Sequence, residues 1–189
     1  NKAYDIFIKY ISEDFRMIQT STPHEYINLC WNNYMSKSTQ YEQTPILRNI
    51  IFRKIVTTCL YRENILPMFL KSQATSISDI IFDIMLYSDI NHSPISITTS
   101  LNLRERYKQA DLEAVALKYV HHNAENYLIS FDSNEADTVK QNMKTGSLLG
   151  IDRIIAADTK EFDELIAELK NRRFINPGNV PIITGTLIE

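Results

Sequence analysis

The chain has 189 residues, 44% of them hydrophobic, which suits one domain or a core with an accessory lobe. It has only 4 glycines and contains neither G-x-x-x-x-G-K-[ST] nor G-x-G-x-x-G, so a Gly-rich phosphate cradle is disfavoured. The net charge of −3 neither supports nor excludes a nucleic-acid partner, because local patches decide such binding.

Apolar residues at Tyr4, Phe7, Ile8, Ile11, Phe15 and Ile18 follow helical spacing, which predicts a helix over 2–18. Thr22-Pro23-His24-Glu25 reads as a helix start, with Thr22 as N-cap and Glu25 completing a capping box, and the helix runs to about Ser36. A third helix is expected over 44–64, from Thr44-Pro45, with Ile46, Leu47, Ile50, Ile51, Ile55, Cys59 and Leu60 on its apolar side. Residues 1–75 are therefore expected to form an N-terminal helical lobe.

The pattern then changes. Ile80–Leu86, Ile95–Thr99, Asn126–Phe131 and Arg153–Ala157 are short aliphatic runs of the buried-strand type, with Asp89-Ile90-Asn91-His92 as the turn between the first two. Helices are expected between them and after them, over 102–122, 133–144 and 159–173, with Asp132-Ser133 and Asp158-Thr159 as caps and with Phe162 and Leu165 facing inward. A hairpin followed by β-α-β-α alternation predicts an α/β core over 76–173, a mixed central sheet flanked by helices. The tail, 174–189, holds Pro177-Gly178 and Pro181 and is read as a loop, an edge strand or an interface arm.

Cys30 and Cys59 sit in apolar helical segments and read as buried structural thiols. No C-x-x-C is present, and His121-His122 are far in sequence from both thiols, so a zinc site is not expected. His121 and His122 suit the negative end of a helix, His24 lies in a capping segment, and His92 lies in the turn near the proposed site. Tyr107 and Trp31 read as packing residues. No run approaches about 20 apolar residues, so no transmembrane helix and a cytoplasmic protein are expected.

Chemistry concentrates in one stretch. Asp83 lies within an apolar strand, where an unpaired carboxylate is costly, so it must face solvent, pair with a cation or hold a metal. The next strand alternates aliphatic residues with Ser96, Thr98 and Ser100, and antiparallel pairing is expected to bring Asp83 beside that hydroxyl face. Arg104, Lys108 and Asp111 share one side of the following helix, Arg106 and Glu113 another, and Leu101, Leu112, Val115 and Ala116 are expected to face inward. Arg104, Arg106 and Lys108 suit phosphate binding; equally, they suit a solvated face on which Glu and Asp pair the cations.

From Asp83 to about Leu169 the chain resembles the catalytic core of type II restriction endonucleases of the PD-(D/E)XK superfamily. The resemblance rests on Asp83 in a hairpin strand, on Thr99-Ser100-Leu101 ending the next strand, and on Arg104-Glu105-Arg106-Tyr107-Lys108 opening the helix. It implies a restriction-endonuclease-like fold and Mg²⁺-dependent, sequence-specific hydrolysis of double-stranded DNA, carried out by a homodimer. The family's second acid falls at Ser96 and its lysine at Thr98, neither of which is acid or lysine here. One resolution places the displaced functions on the helix. Asp83 and Glu105 would then be the metal ligands, Ser96 and Thr98 would hold a metal-bound water, Lys108 and Arg104 would supply the stabilising charge, and Arg106 would add a phosphate contact. The others are a site disabled by substitution, or a DNA-binding or subunit-interaction domain of the same fold without turnover.

Overall fold

The capping signals near the N-terminus act as written. In the computed structural model, which describes residues 2–40, 42–77, 79–178 and 182–189, Thr22 accepts from the Glu25 amide and Glu25 reaches back to the Thr22 amide. This capping box opens α2 (Pro23–Ser36). Thr44 caps α3 (Pro45–Arg62) by accepting from the Leu47 amide at 3.1 Å. The first segment is not the single helix its periodicity suggests. α1 spans Lys2–Ile6, continues as one π-helical turn over Phe7–Ile11, and breaks at Ser12, whose backbone is extended. A 3₁₀ turn over Phe15–Met17 follows, with Asp14 accepting from the Arg16 amide.

Beyond α3 come β1 (Met68–Ala74), β2 (Phe82–Ser88), β3 (Ser93–Thr99), α4 (Leu103–Val120), β4 (Glu125–Ser130), α5 (Ser133–Lys144), β5 (Arg153–Ala156), α6 (Lys160–Lys170) and β6 (Ile183–Ile188). The six strands form one sheet in the order β5-β4-β3-β2-β1-β6. β1, β2, β3 and β6 pair antiparallel, whereas β3, β4 and β5 run parallel. The protein is thus α/β with a mixed sheet between helices. No described helix is long and apolar enough to cross a membrane.

One stretch differs in kind from the sequence expectation, and one open reading is resolved. Residues 68–74, placed above in a helical lobe, form β1, a strand between β2 and β6. Lys71, Ser72 and Gln73 hide it, because they interrupt the aliphatic pattern at a register shift in the pairing with β6. The tail contributes β6, an edge strand, as one of its three readings had it. Pro181 lies outside the described residues.

One face of the sheet carries the N-terminal helices and α6. There Ile27, Ile51, Phe52, Ile55, Leu165 and Leu169 pack with Ile84, Ile95, Ile97, Ile129 and Ile155. Trp31 sits within this core, its ring 5.4 Å from Phe131 and 6.0 Å from Phe52, which is packing as expected. The opposite face carries α4 and α5, with Leu103, Ala110, Ala114, Ala136 and Val139 against Leu128, Ile154 and Ala156. The inward stripe of α4 is therefore Leu103, Ala110, Ala114 and Leu117, not the one expected from the sequence: Leu112 is 65% and Val115 38% exposed. Alanines carry much of the contact, so the apolar bulk of the helix misleads about its phase.

Asp111 is buried on the same helix and accepts from the backbone amides of Leu149, Gly150 and Ile151 at 2.8–3.1 Å. It holds the loop that leads into β5 and does not belong to an exposed cationic face. Gly150 is required there, since a Cβ would lie 2.4 Å from the Val115 nitrogen and 2.6 Å from the Asp111 oxygen.

Candidate functional site

β2 changes step at Asp83. Ile84 and Leu86 pack with the N-terminal helices, whereas Met85 and Tyr87 pack on the other side of the sheet. Strict alternation would put Phe82 with Ile84, yet Phe82 packs with Met85 and Tyr87. Next to this step, Lys71 of β1 lies between the pairs Leu70–Ile84 and Ser72–Phe82 and has φ 48°, in the left-handed region that is uncommon outside glycine. The consequence is that the Asp83 carboxylate turns toward α3.

There the carboxylate is fully engaged. Arg53 of α3 donates to Asp83 Oδ1 at 2.5 Å, and Thr99 donates to Oδ2 through its amide at 2.8 Å and its hydroxyl at 3.0 Å. The side chains of Arg53 and Asp83 are 31% and 18% exposed. Of the three fates open to a carboxylate in an apolar strand, pairing with a cation is the one realised.

Asn49, one turn before Arg53 on the same face of α3, accepts from the Leu101 amide at 3.0 Å and so fixes the exit of β3. Ser100 and Asn102 close the turn, with Ser100 Oγ accepting from the Asn102 amide at 3.2 Å, and the Asn102 side chain caps α4 by accepting from the Glu105 amide. Asn49, Arg53, Asp83, Thr99, Ser100, Asn102, Glu105 and Arg106 together line a cavity of about 300 Å³ at the N-terminus of α4. Arg106 donates to Glu113 at 2.7 Å, and its Nη1 is buried with no partner among the described groups. The cavity wall carries Arg53 and Arg106 against Asp83 and Glu105, which balances to neutral.

The residues singled out from the sequence divide. Asp83, Glu105 and Arg106 meet in this cavity. Ser96 and Thr98 do not join them: both are buried, on the α4 and α5 face, level with Asn126 and Leu128 of β4. Ser96 donates to Asn126 Oδ1 at 2.6 Å. The hydroxyl that meets Asp83 is Thr99, because the change of step in β2 carries the carboxylate to the face opposite Ser96 and Thr98. Arg104 is exposed and stands 3.8 Å from Glu135, which also accepts from the Leu103 amide. Lys108 is exposed, its Nζ 5.9 Å from the ring centre of Tyr107. His121 is the C-cap of α4, and burial lowers its pKa.

Arg53 and Asn49 are the residues that sequence reasoning passed over, and Thr99 entered it only as part of the Thr99-Ser100-Leu101 stretch, without a role. The available signal was an Asn and an Arg four apart, and so on one face of α3, but the helix also carries Arg48, Lys54, Thr57, Thr58 and Arg62, which mask it. Mg²⁺, which the resemblance implies, demands near-octahedral oxygen ligation. The residues here do not fit it: Asp83 Oδ1 faces a guanidinium, Oδ2 is taken by two donors, and Glu105 is the other acid of the cavity. Among the described residues, no three His, Cys, Asp or Glu side chains gather in one place. No protein-family model matches the chain, and no curated protein or solved structure matches it significantly.

Proposed function

We propose that this chain binds double-stranded DNA without cleaving it, as a non-catalytic relative of the restriction-endonuclease-like fold. The β2–β3 hairpin, the charged helix α4 and the parallel strands β4 and β5 supply the element order the resemblance calls for. The single observation that carries the non-catalytic reading is the ion pair between Arg53 and Asp83, reinforced by Thr99. The acid that would hold the metal is neutralised from within, and neither Ser96 nor Thr98 faces it. Arg104 and Lys108, exposed on the first turns of α4, supply phosphate contacts. Such contacts position a protein on DNA without reading bases, and a homodimer would double them.

A second reading, the Mg²⁺-dependent endonuclease, is favoured by one observation: Asp83 and Glu105 open on the same cavity. It requires Arg53 to leave Asp83. One experiment separates the two. A labelled duplex is titrated with the chain in gel-shift assays at two salt concentrations, and plasmid DNA is incubated with Mg²⁺ or EDTA. The proposal expects a salt-sensitive shift, at least tenfold weaker in an Arg104→Ala, Lys108→Ala variant, with the plasmid intact. Absence of any shift, or a shift that the variant leaves unchanged, overturns it. Discrete Mg²⁺-dependent fragments, lost in Asp83→Ala, establish the second reading.

A further inference from the structure

A second cavity, of about 470 Å³, lies between α1, α3 and β1, and shares Arg53 and Asp83 with the first as a common wall. The size is that of a small-molecule site. Its lining combines two chemistries. Phe7, Ile8, Phe15, Ile50 and Leu70 make the body apolar. Lys54, Lys71 and Glu13 also line it, with the Arg53–Asp83 pair, and Arg53 and Lys71 are near enough to Lys54 for their charges to act on it.

The charges give the sign of the occupant. Arg53 and Asp83 neutralise each other. Lys54 and Lys71, counted with Glu13, then leave one positive charge in the lining. Lys54 is half-buried and has no hydrogen-bond or ion-pair partner among the described residues. Burial lowers its pKa, and the positive charges of Arg53 and Lys71 lower it further, so three cations crowd together in the wall of a largely apolar cavity. An anion placed there would relieve that repulsion. A single surplus charge matches a monoanion and not a phosphate monoester, which carries close to two charges at neutral pH.

We propose that this cavity binds a monocarboxylate with a flexible apolar chain, its carboxylate between Lys54 and Lys71 and its chain against Phe7, Phe15 and Ile50. The ligand is taken from solution as a single molecule, its chain lying among apolar side chains contributed by several elements around a partly open cavity. The proposal is independent of the DNA-binding reading, and neither stands or falls with the other.

Decanoate, kept below its micelle concentration, is titrated into the full chain by calorimetry, alongside decanol, decyltrimethylammonium and anionic vesicles. Saturable binding of one decanoate per chain is expected, with both uncharged and cationic analogues at least tenfold weaker. Lys54→Met keeps the apolar stem and removes the charge. Lys71→Asn removes the other charge at an exposed position whose left-handed backbone Asn tolerates, so at least one variant keeps its fold. Each should weaken decanoate at least tenfold and leave decanol unchanged. Equal binding of decanol and decanoate, unchanged affinity in the folded variants, binding to vesicles alone, or no saturable binding would each overturn the assignment.

Discussion

Asp111 gives the sharpest test of how the sheet is held against α4. Its carboxylate is the acceptor for three successive amides of the loop before β5. Oδ1 alone receives the Gly150 amide at 2.8 Å and the Ile151 amide at 3.0 Å, while the Leu149 amide is shared between Oδ1 and Oδ2. In Asp111→Ala the two buried donors lose their acceptor, at roughly 1–3 kcal/mol each, and water entering the vacated space offsets part of this. The expected loss is about 3 kcal/mol. Asp111→Asn keeps Oδ1 for the three amides but puts an amide nitrogen in place of Oδ2, which loses the second bond from Leu149 together with the charge assistance, so about 1–2 kcal/mol is expected. Urea unfolding followed by circular dichroism reads both, and an unchanged m-value shows that only stability moved. A loss below about 1 kcal/mol in the Ala variant, or an Asn variant as damaged as the Ala variant, would refute the assigned role.

Gly150→Ala should cost at least about 2 kcal/mol, because the new methyl meets backbone atoms of Val115 and Asp111 that cannot rotate away; thermal unfolding measures it. Burial pushes the Cys30 thiol up to about 11 and also raises that of Cys59, so both should resist a thiol reagent such as dithiobisnitrobenzoate in the native protein and react when it unfolds. Burial alone would raise the Glu125 carboxyl, yet Arg172, donating at 2.6 Å, and the Tyr127 hydroxyl outweigh it and hold the pKa below its ordinary 4.5. The depressed pKa means that stability from this group is present above about 4.5 and is lost as the pH falls through the folded value. Unfolding free energies measured in acid should therefore fall less steeply with decreasing pH in Glu125→Gln than in the parent.

Local signals carried the fold well wherever one residue type has one job. Thr22 and Glu25 fixed the start of α2, Thr44-Pro45 that of α3, and Asp132 that of α5, where it accepts from the Asn134 and Glu135 amides. The Asp158-Thr159 cap holds only in part: Thr159 is the N-cap of α6 but makes no side-chain capping bond, its hydroxyl donating instead to the Ala156 carbonyl. What the sequence concealed depends on long-range pairing. β1 became legible only through its neighbours β2 and β6, and the phase of α4 through alanines that carry little hydrophobic signal. The site follows the same division. Asp83, Glu105 and Arg106 are near enough in chain to be grouped by motif. Arg53, 30 residues before Asp83, is joined to it only by the packing of α3 on the sheet. The face taken by Asp83 turns on a change of step in β2 beside the left-handed Lys71, and such irregularities have no single-residue signature.

The most direct test of the central claim, that Arg53 occupies the place a metal would need, is a Mn²⁺ titration followed by electron paramagnetic resonance with duplex DNA present. The account predicts no Mn²⁺ bound beyond that held by the DNA alone, and the same curve for the parent chain and for Asp83→Asn. One or more Mn²⁺ ions bound per chain in the parent and lost in Asp83→Asn would contradict it and establish Asp83 as a metal ligand.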